Sequence, residues 1–90
     1  MFETEIKRGA AYLDRVDPEW VKKIDLDLLS INDPKDCVVG QVFGDFWEWM
    51  GYYTSWETVH EHGFAAENGD HPQLTKEWKE FIRERQSEQA

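Results

Sequence analysis

The sequence predicts an all-α protein: a compact single domain of about four to five helices, at about 2–16, 18–24, 34–53, 55–62 and 73–86. Three observations carry that prediction. Apolar residues recur at intervals of three and four along most of the chain, Asp-Pro pairs punctuate it twice, and only one short stretch alternates like a strand, with nothing to pair with.

The first helix is read from Phe2, Ile6, Gly9, Ala10, Leu13 and Val16, which place one apolar stripe on one face. It stops before Asp17-Pro18, because a residue preceding proline avoids the helical region, and Asp17 then caps a second helix opening at Pro18. Trp20 and Ile24 are expected to face inward. Ile24 to Leu28 alternates apolar and polar and is read as an extended connector or single turn. Asp33-Pro34 repeats the capping device, with Asp36 complementing the positive end of a long third helix. In that helix Val39, Val42, Phe43, Phe46, Trp47 and Met50 spread over about 140° as a core stripe, and Gln41, Asp45 and Glu48 fall opposite as a solvated face. Gly40, Gly44 and Gly51 project within about 40° of one another, a smooth strip that the first helix is expected to approach through Gly9 and Ala10. Thr54 with Glu57 makes a capping box for a short fourth helix, which Gly63-Phe64 closes with an apolar residue folding back. Ala65 to His71 reads as a turn-rich loop containing Asn68-Gly69-Asp70. The last helix carries Leu74, Trp78, Phe81, Ile82 and Arg85 at helical spacing, and a polar tail of Gln86 to Ala90 is expected to fray, most of all at about 87–90.

With 90 residues there is room for one core, and folding buries only about 60 to 65 % of the extended surface. An aromatic content of 14 % compensates, since each large ring contributes about 1.5 to 3 kcal/mol when fully buried. The net charge of −9 repels phosphate backbones and anionic membranes, so direct nucleic-acid binding is not expected. Cys37 is the only cysteine, which leaves no intramolecular disulfide or CxxC zinc site and fits a reducing compartment. Met1 to Glu5 lacks the basic and apolar regions of a signal peptide, and no window is apolar enough to span a bilayer. A cytoplasmic protein is expected.

Few residues are arranged for chemistry. His60 and His62 stand two apart and point about 200° from each other on a helix, so they do not share one ion, and no metal or other cofactor is assigned. Cys37 lies in the first turn of the third helix, where the dipole favours a thiolate, but Val38 and Val39 beside it imply apolar, inert surroundings. Asp25 and Asp27, or Asp33 and Asp36, are explained as outward-facing, capping or dipole-complementing carboxylates, and no catalytic residue is assigned.

The aromatic residues are in excess of what one stripe uses. Phe43, Phe46 and Trp47 belong to the core face, whereas Trp49, Tyr52, Tyr53 and Trp56 repeat at i, i+3, i+4 and i+7 on an adjoining face. Asp45 and Glu48, with Glu57 and Glu61, border that face with negative charge. Asp45, Glu48, Trp49, Tyr52, Tyr53 and Trp56 are therefore the candidate partner-binding residues, on a surface suited to a basic partner or to a second copy of the chain.

Gly9-Ala10-Ala11-Tyr12-Leu13-Asp14, Pro18-x-Trp20, Ile24-Asp25 and the run Cys37 to Gly44, continued by Gly63-Phe64 and Leu74-Thr75-x-x-Trp78, form a pattern that resembles a group of small uncharacterised proteins of actinobacteria and their phages. The likeness covers about residues 9–85. The group has no known activity and supplies no catalytic or binding residue. It implies a phage or prophage accessory protein that binds and modulates a host protein.

The expected function is thus a non-enzymatic protein-binding module working through the aromatic and acidic surface. A narrower form has the acidic surface imitate nucleic acid in a basic groove. The alternative from another class is a binder of a small flat or nucleotide-like molecule, or an enzyme, with an aromatic-walled pocket.

Overall fold

A computed structural model describes residues 1–67 and 69–88, all with side chains except Tyr53, whose backbone alone is described. Among these residues there are six helices and no strand: α1 (Glu3–Val16), α2 (Trp20–Lys23), α3 (Val38–Phe43), α4 (Phe46–Tyr53), α5 (Trp56–Glu61) and α6 (His71–Glu88). The all-α expectation holds. Helix α1 packs against α5, α2 against both α6 and α3, and α3 against α4. The result measures 33 × 26 × 23 Å.

Helix α1 buries the expected stripe of Ile6, Gly9, Ala10 and Leu13. Its entry is tied to α6, where a Glu77 carboxylate oxygen accepts from the Phe2 N–H at 2.7 Å and lies 3.2 Å from the Met1 ammonium. Asp17 closes α1, its N–H donating to the Leu13 carbonyl at 2.8 Å, while its carboxylate accepts from the Glu19 N–H. Helix α2 therefore begins at Trp20, not Pro18, after one tight turn. Trp20 and Ile24 are buried as expected. The Trp20 indole donates to Asp14 at 2.8 Å, and the Arg85 guanidinium grips both oxygens of that carboxylate at 3.2 and 3.3 Å. One carboxylate thus joins α1, α2 and α6.

The stretch after Ile24 is a turn, closed by the Leu28 N–H on the Asp25 carbonyl. Gln41 was expected on a solvated face but clamps this turn instead. Its amide oxygen accepts from the Asp25 N–H at 2.6 Å, and its amide nitrogen donates to the carbonyls of Asp25 and Asp36.

The long helix expected over 34–53 is not formed. Asp33 caps only one turn, accepting from the N–H groups of Lys35 and Asp36. A new helix, α3, then starts with Cys37 as its N-cap, the thiol sulfur accepting from the Gly40 N–H at 3.3 Å. It ends at Gly44, whose φ of +105° is open to glycine and strained for other residues. Asp45 caps α4 by accepting from the Glu48 N–H.

The expected glycine strip disappears with the long helix. Gly40 lies against the Pro34 carbonyl, where a Cβ would stand 2.3 Å from the oxygen, whereas Gly44 and Gly51 have nothing within 4 Å of theirs. Gly9 does mark a close helix contact, but with the end of α5, where its Cβ would stand 2.2 Å from the His62 carbonyl oxygen.

The cap of α5 is Ser55, one residue later than Thr54, which instead ends α4. The Gly63-Phe64 terminus forms as expected: Gly63 has φ +69°, its N–H donates to His60, and the Phe64 N–H reaches back to Val59 at 3.0 Å. Asn68, within the expected loop, lies outside the described residues, as do positions 89 and 90. Helix α6 runs two residues beyond the expected end. Gln86 is anchored rather than frayed, its amide donating to the carbonyls of Val21 and Ile24 at 3.0 Å each.

Two predictions follow from this packing. Gly9→Ala should lower the unfolding free energy by about 2 kcal/mol through overpacking, while Gly51→Ala, in open space on a helix, should raise it by about 0.5 to 1 kcal/mol. Urea titration of both variants checks the contrast, and a neutral Gly9→Ala would contradict the α1–α5 contact. Burial pushes the Glu77 carboxyl up, but hydrogen bonds from Phe2 and Gln73 and the nearby N-terminal ammonium outweigh it and hold the group below its ordinary 4.5. The stabilisation is therefore complete above about pH 4.5 and is lost as pH falls through the lower folded value. Urea midpoints between pH 6 and pH 3 should fall less steeply in Glu77→Gln than in the parent chain.

Candidate functional site

The break at Gly44 resets the helical phase, and with it the placement of Trp47 and Trp49. Helix α4 turns Phe46 and Trp49 inward and leaves Trp47, Glu48, Gly51 and Tyr52 on its solvent face. Trp47 is 55 % exposed and Trp56, opening α5, is 49 % exposed. Their rings lie parallel within 3°, with centroids 6.0 Å apart, in an offset stack. Phe46 supports both edge-on, at 5.1 Å from Trp47 and 6.3 Å from Trp56. His60 meets Trp56 in a T-shaped contact at 4.9 Å. Under this ridge is a small cavity of about 130 Å³ whose walls include Ile31, Pro34, Phe46 and Ala65 as well as the two tryptophans.

A second aromatic surface lies on the other side of α4. Phe43, 40 % exposed, stacks on Trp49 at 5.9 Å, and the two form a groove with Glu48 and Tyr52. Tyr52 is the most exposed of these rings.

The continuous face of Trp49, Tyr52, Tyr53 and Trp56 is therefore not built. Helix α4 ends at Tyr53, Ser55 restarts the count at α5, and i+7 spacing loses its meaning across the junction. Trp49 is 6 % exposed and packs among Tyr12, Phe46 and Phe64. Trp56 and Tyr52 are on the surface but on different patches. Glu48 is exposed, and Asp45 is half-buried with its carboxylate engaged in capping. The Tyr53 side chain lies outside the described residues. Trp47 and Phe43, assigned by sequence to the core, are the exposed rings that the reading missed. Gly44-Asp45-x-x-Glu48 is the signal that could have found them, a helix stop followed at once by a capping pattern.

The reactive side chains are otherwise occupied. Cys37 is buried, and burial pushes its thiol up to about 11 despite hydrogen bonds that favour the thiolate. The His62 Nδ1 lies 2.8 Å from the Thr58 carbonyl, and His60 packs on Trp56, so the two histidines serve different neighbours. Among the described residues no three histidine, cysteine or acidic side chains are grouped to hold a metal, and no helix is long and apolar enough to cross a membrane. Compared with protein-family models, curated proteins and solved structures, the chain matches none.

The two classes of tryptophan are separable in solution. Acrylamide should quench Trp47 and Trp56 readily and Trp20, Trp49 and Trp78 poorly, so Trp47→Phe with Trp56→Phe should remove most of the quenchable emission. Unchanged quenching in that double variant would mean that the ridge is covered.

Proposed function

We propose that this chain is a non-enzymatic protein-binding module that docks a basic protein surface on the Trp47–Trp56 ridge. The single observation that carries the reading is that stacked, half-exposed tryptophan pair on a rigid aromatic base. Tryptophan is the residue most enriched at binding hot spots, and Phe46 fixes both rings before a partner arrives, which reduces the ordering cost of association. The cavity beneath the pair gives an apolar side chain of the partner a place to enter.

Charge selects the partner's sign. Seven of the nineteen acidic residues and none of the ten basic ones lie between Lys35 and Lys76, so the segment that builds the ridge carries −7 of the chain's −9. Asp45, Glu48, Glu57 and Glu61 belong to it. Two copies meeting through this surface would set like charge against like, whereas a lysine- and arginine-rich surface would be attracted and steered. In the setting that the sequence resemblance implies, a phage or prophage accessory protein, the partner is a host component.

The test is affinity capture from a host lysate, followed by binding measurements on each captured protein with the parent chain and with Trp47→Ala/Trp56→Ala. The reading requires a basic partner whose affinity falls at least about thirty-fold in the variant and weakens as salt rises. Captured partners that bind parent and variant equally would overturn it. So would light scattering that shows a dimer which the double variant dissociates, since the ridge would then be a self-association surface.

A further inference from the structure

A second opening lies between α1 and the α4–α5 junction, away from the ridge. Four rings surround it. Tyr12 meets Trp49, His62 and Phe64 edge-on at 6.2, 6.1 and 6.2 Å, while His62 and Phe64 lie nearly parallel at 6.2 Å. These rings do not close over one another. A cleft of about 130 Å³ remains, with Thr54 and Thr58 completing its wall. The cleft is half open to solvent, and ring surface that faces it has no protein atoms packed on that side. Here two nearly buried rings, Trp49 and Phe64, face such a space.

The cleft also has polar groups without protein partners. A carbonyl only accepts, so the His62 nitrogen 2.8 Å from the Thr58 oxygen carries the hydrogen, and Nε2 of the neutral ring is an acceptor. Among the described residues nothing donates to that Nε2, and the hydroxyls of Tyr12 and Thr54 have no hydrogen-bond partner there either. Among the described residues no side-chain nitrogen or oxygen is both buried and unpaired, so these groups are open to solvent or to whatever fills the cleft. Aromatic walls with a few uncommitted polar groups are the general form of a small-molecule site.

We infer that this cleft binds a planar, single-ring molecule bearing one hydroxyl or N–H donor, of the phenol class. Size limits the ligand to one ring. A cavity of about 150 Å³ accepts benzene, whereas sites for drug-sized molecules start near about 300 Å³, so the sheltered part of the cleft holds one ring. Flatness follows from the walls, which offer ring faces and edges to an offset or edge-on partner. The donor follows from His62 Nε2, and the hydroxyls of Tyr12 and Thr54 can donate to the ligand's oxygen. This site is independent of the ridge, and neither inference rests on the other.

The experiment is an NMR titration of the full chain with phenol, with toluene as the same ring lacking a donor, and with cyclohexanol as a donor on a non-planar ring. Saturable shifts are expected at the Trp49 indole and the rings of Tyr12 and His62. Phenol should bind about five-fold tighter than toluene, the effect of one neutral hydrogen bond, and also tighter than cyclohexanol, whose puckered ring cannot lie flat against the aromatic walls. His62→Phe keeps a ring and removes the acceptor, so it should narrow the gap between phenol and toluene. If that variant does not fold, the three-ligand comparison on the parent chain decides alone. Equal affinities for all three molecules, shifts that stay linear to the solubility limit, or shifts centred on Trp47 and Trp56 would each overturn the inference.

Discussion

The carbonyl of Pro34 is the point from which the rest of the aromatic half is organised. It accepts from the Phe46 N–H at 2.8 Å and from the Cys37 thiol at 3.8 Å, and Gly40 lies against it where any larger residue would collide. The chain can return to it only by reversing at Gly44, whose positive φ supplies the turn. In a continuous helix the Phe46 N–H would instead reach the Val42 carbonyl. One backbone hydrogen bond contributes only about 1 kcal/mol net and does not decide between these paths. The decision comes from burying Phe46 and Trp49, each worth about 1.5 to 3 kcal/mol; the hydrogen bond sets the register in which they are buried.

That reversal also explains what was legible in the sequence and what was not. Helix α1, the inward placement of Trp20, and the Gly63-Phe64 terminus were readable because each depends on local periodicity or on a cap with its own residue signature. The 34–53 helix was misread because a period of 100° fits Val39 to Met50 even across a break, and a glycine inside a helix is tolerated at modest cost. The candidate site inherited the error. Asp45, Glu48, Tyr52 and Trp56 were named, but Trp49 was placed outside and Trp47 inside, since projecting one unbroken helix past Gly44 gives the wrong phase to those two rings while leaving Phe46 inward. Gln86 was missed for a different reason. Its role depends on carbonyls more than sixty positions away, at Val21 and Ile24, and no local pattern encodes such a partner.

A chain this small closes its core with few residues, so the polar ends of its large rings have to be satisfied. Trp20 and Trp78 are fully buried and meet edge to face at 6.2 Å. Both indole N–H groups are paired, Trp20 with Asp14 and Trp78 with the Gly63 carbonyl at 2.6 Å. Leaving either unpaired would cost about 1 to 3 kcal/mol. These bonds couple distant parts of the chain. The Gly63 carbonyl available to Trp78 exists in that position only because Gly63 adopts a left-handed conformation at the end of α5, and Asp14 is held for Trp20 by Arg85 of α6. The helix termini and the core are therefore one structure rather than separate decorations.

The exposed tryptophans stand outside that economy. Trp47 and Trp56 spend their large apolar area on each other and on Phe46 while keeping about half of it in water. An aromatic ridge in neutral surroundings invites self-association. Here it is built by the segment that carries −7, and the ten basic residues are confined to the remainder of the chain. Like charge opposes pairing of two copies through the ridge, screened beyond about 8 Å at physiological salt but not across a contact. The same charge lowers the cost of approach for a basic surface. In the proposed function, acidity and aromaticity in residues 36–75 would thus act on the same event from opposite sides: the rings would supply attraction without discrimination, and the carboxylates the discrimination.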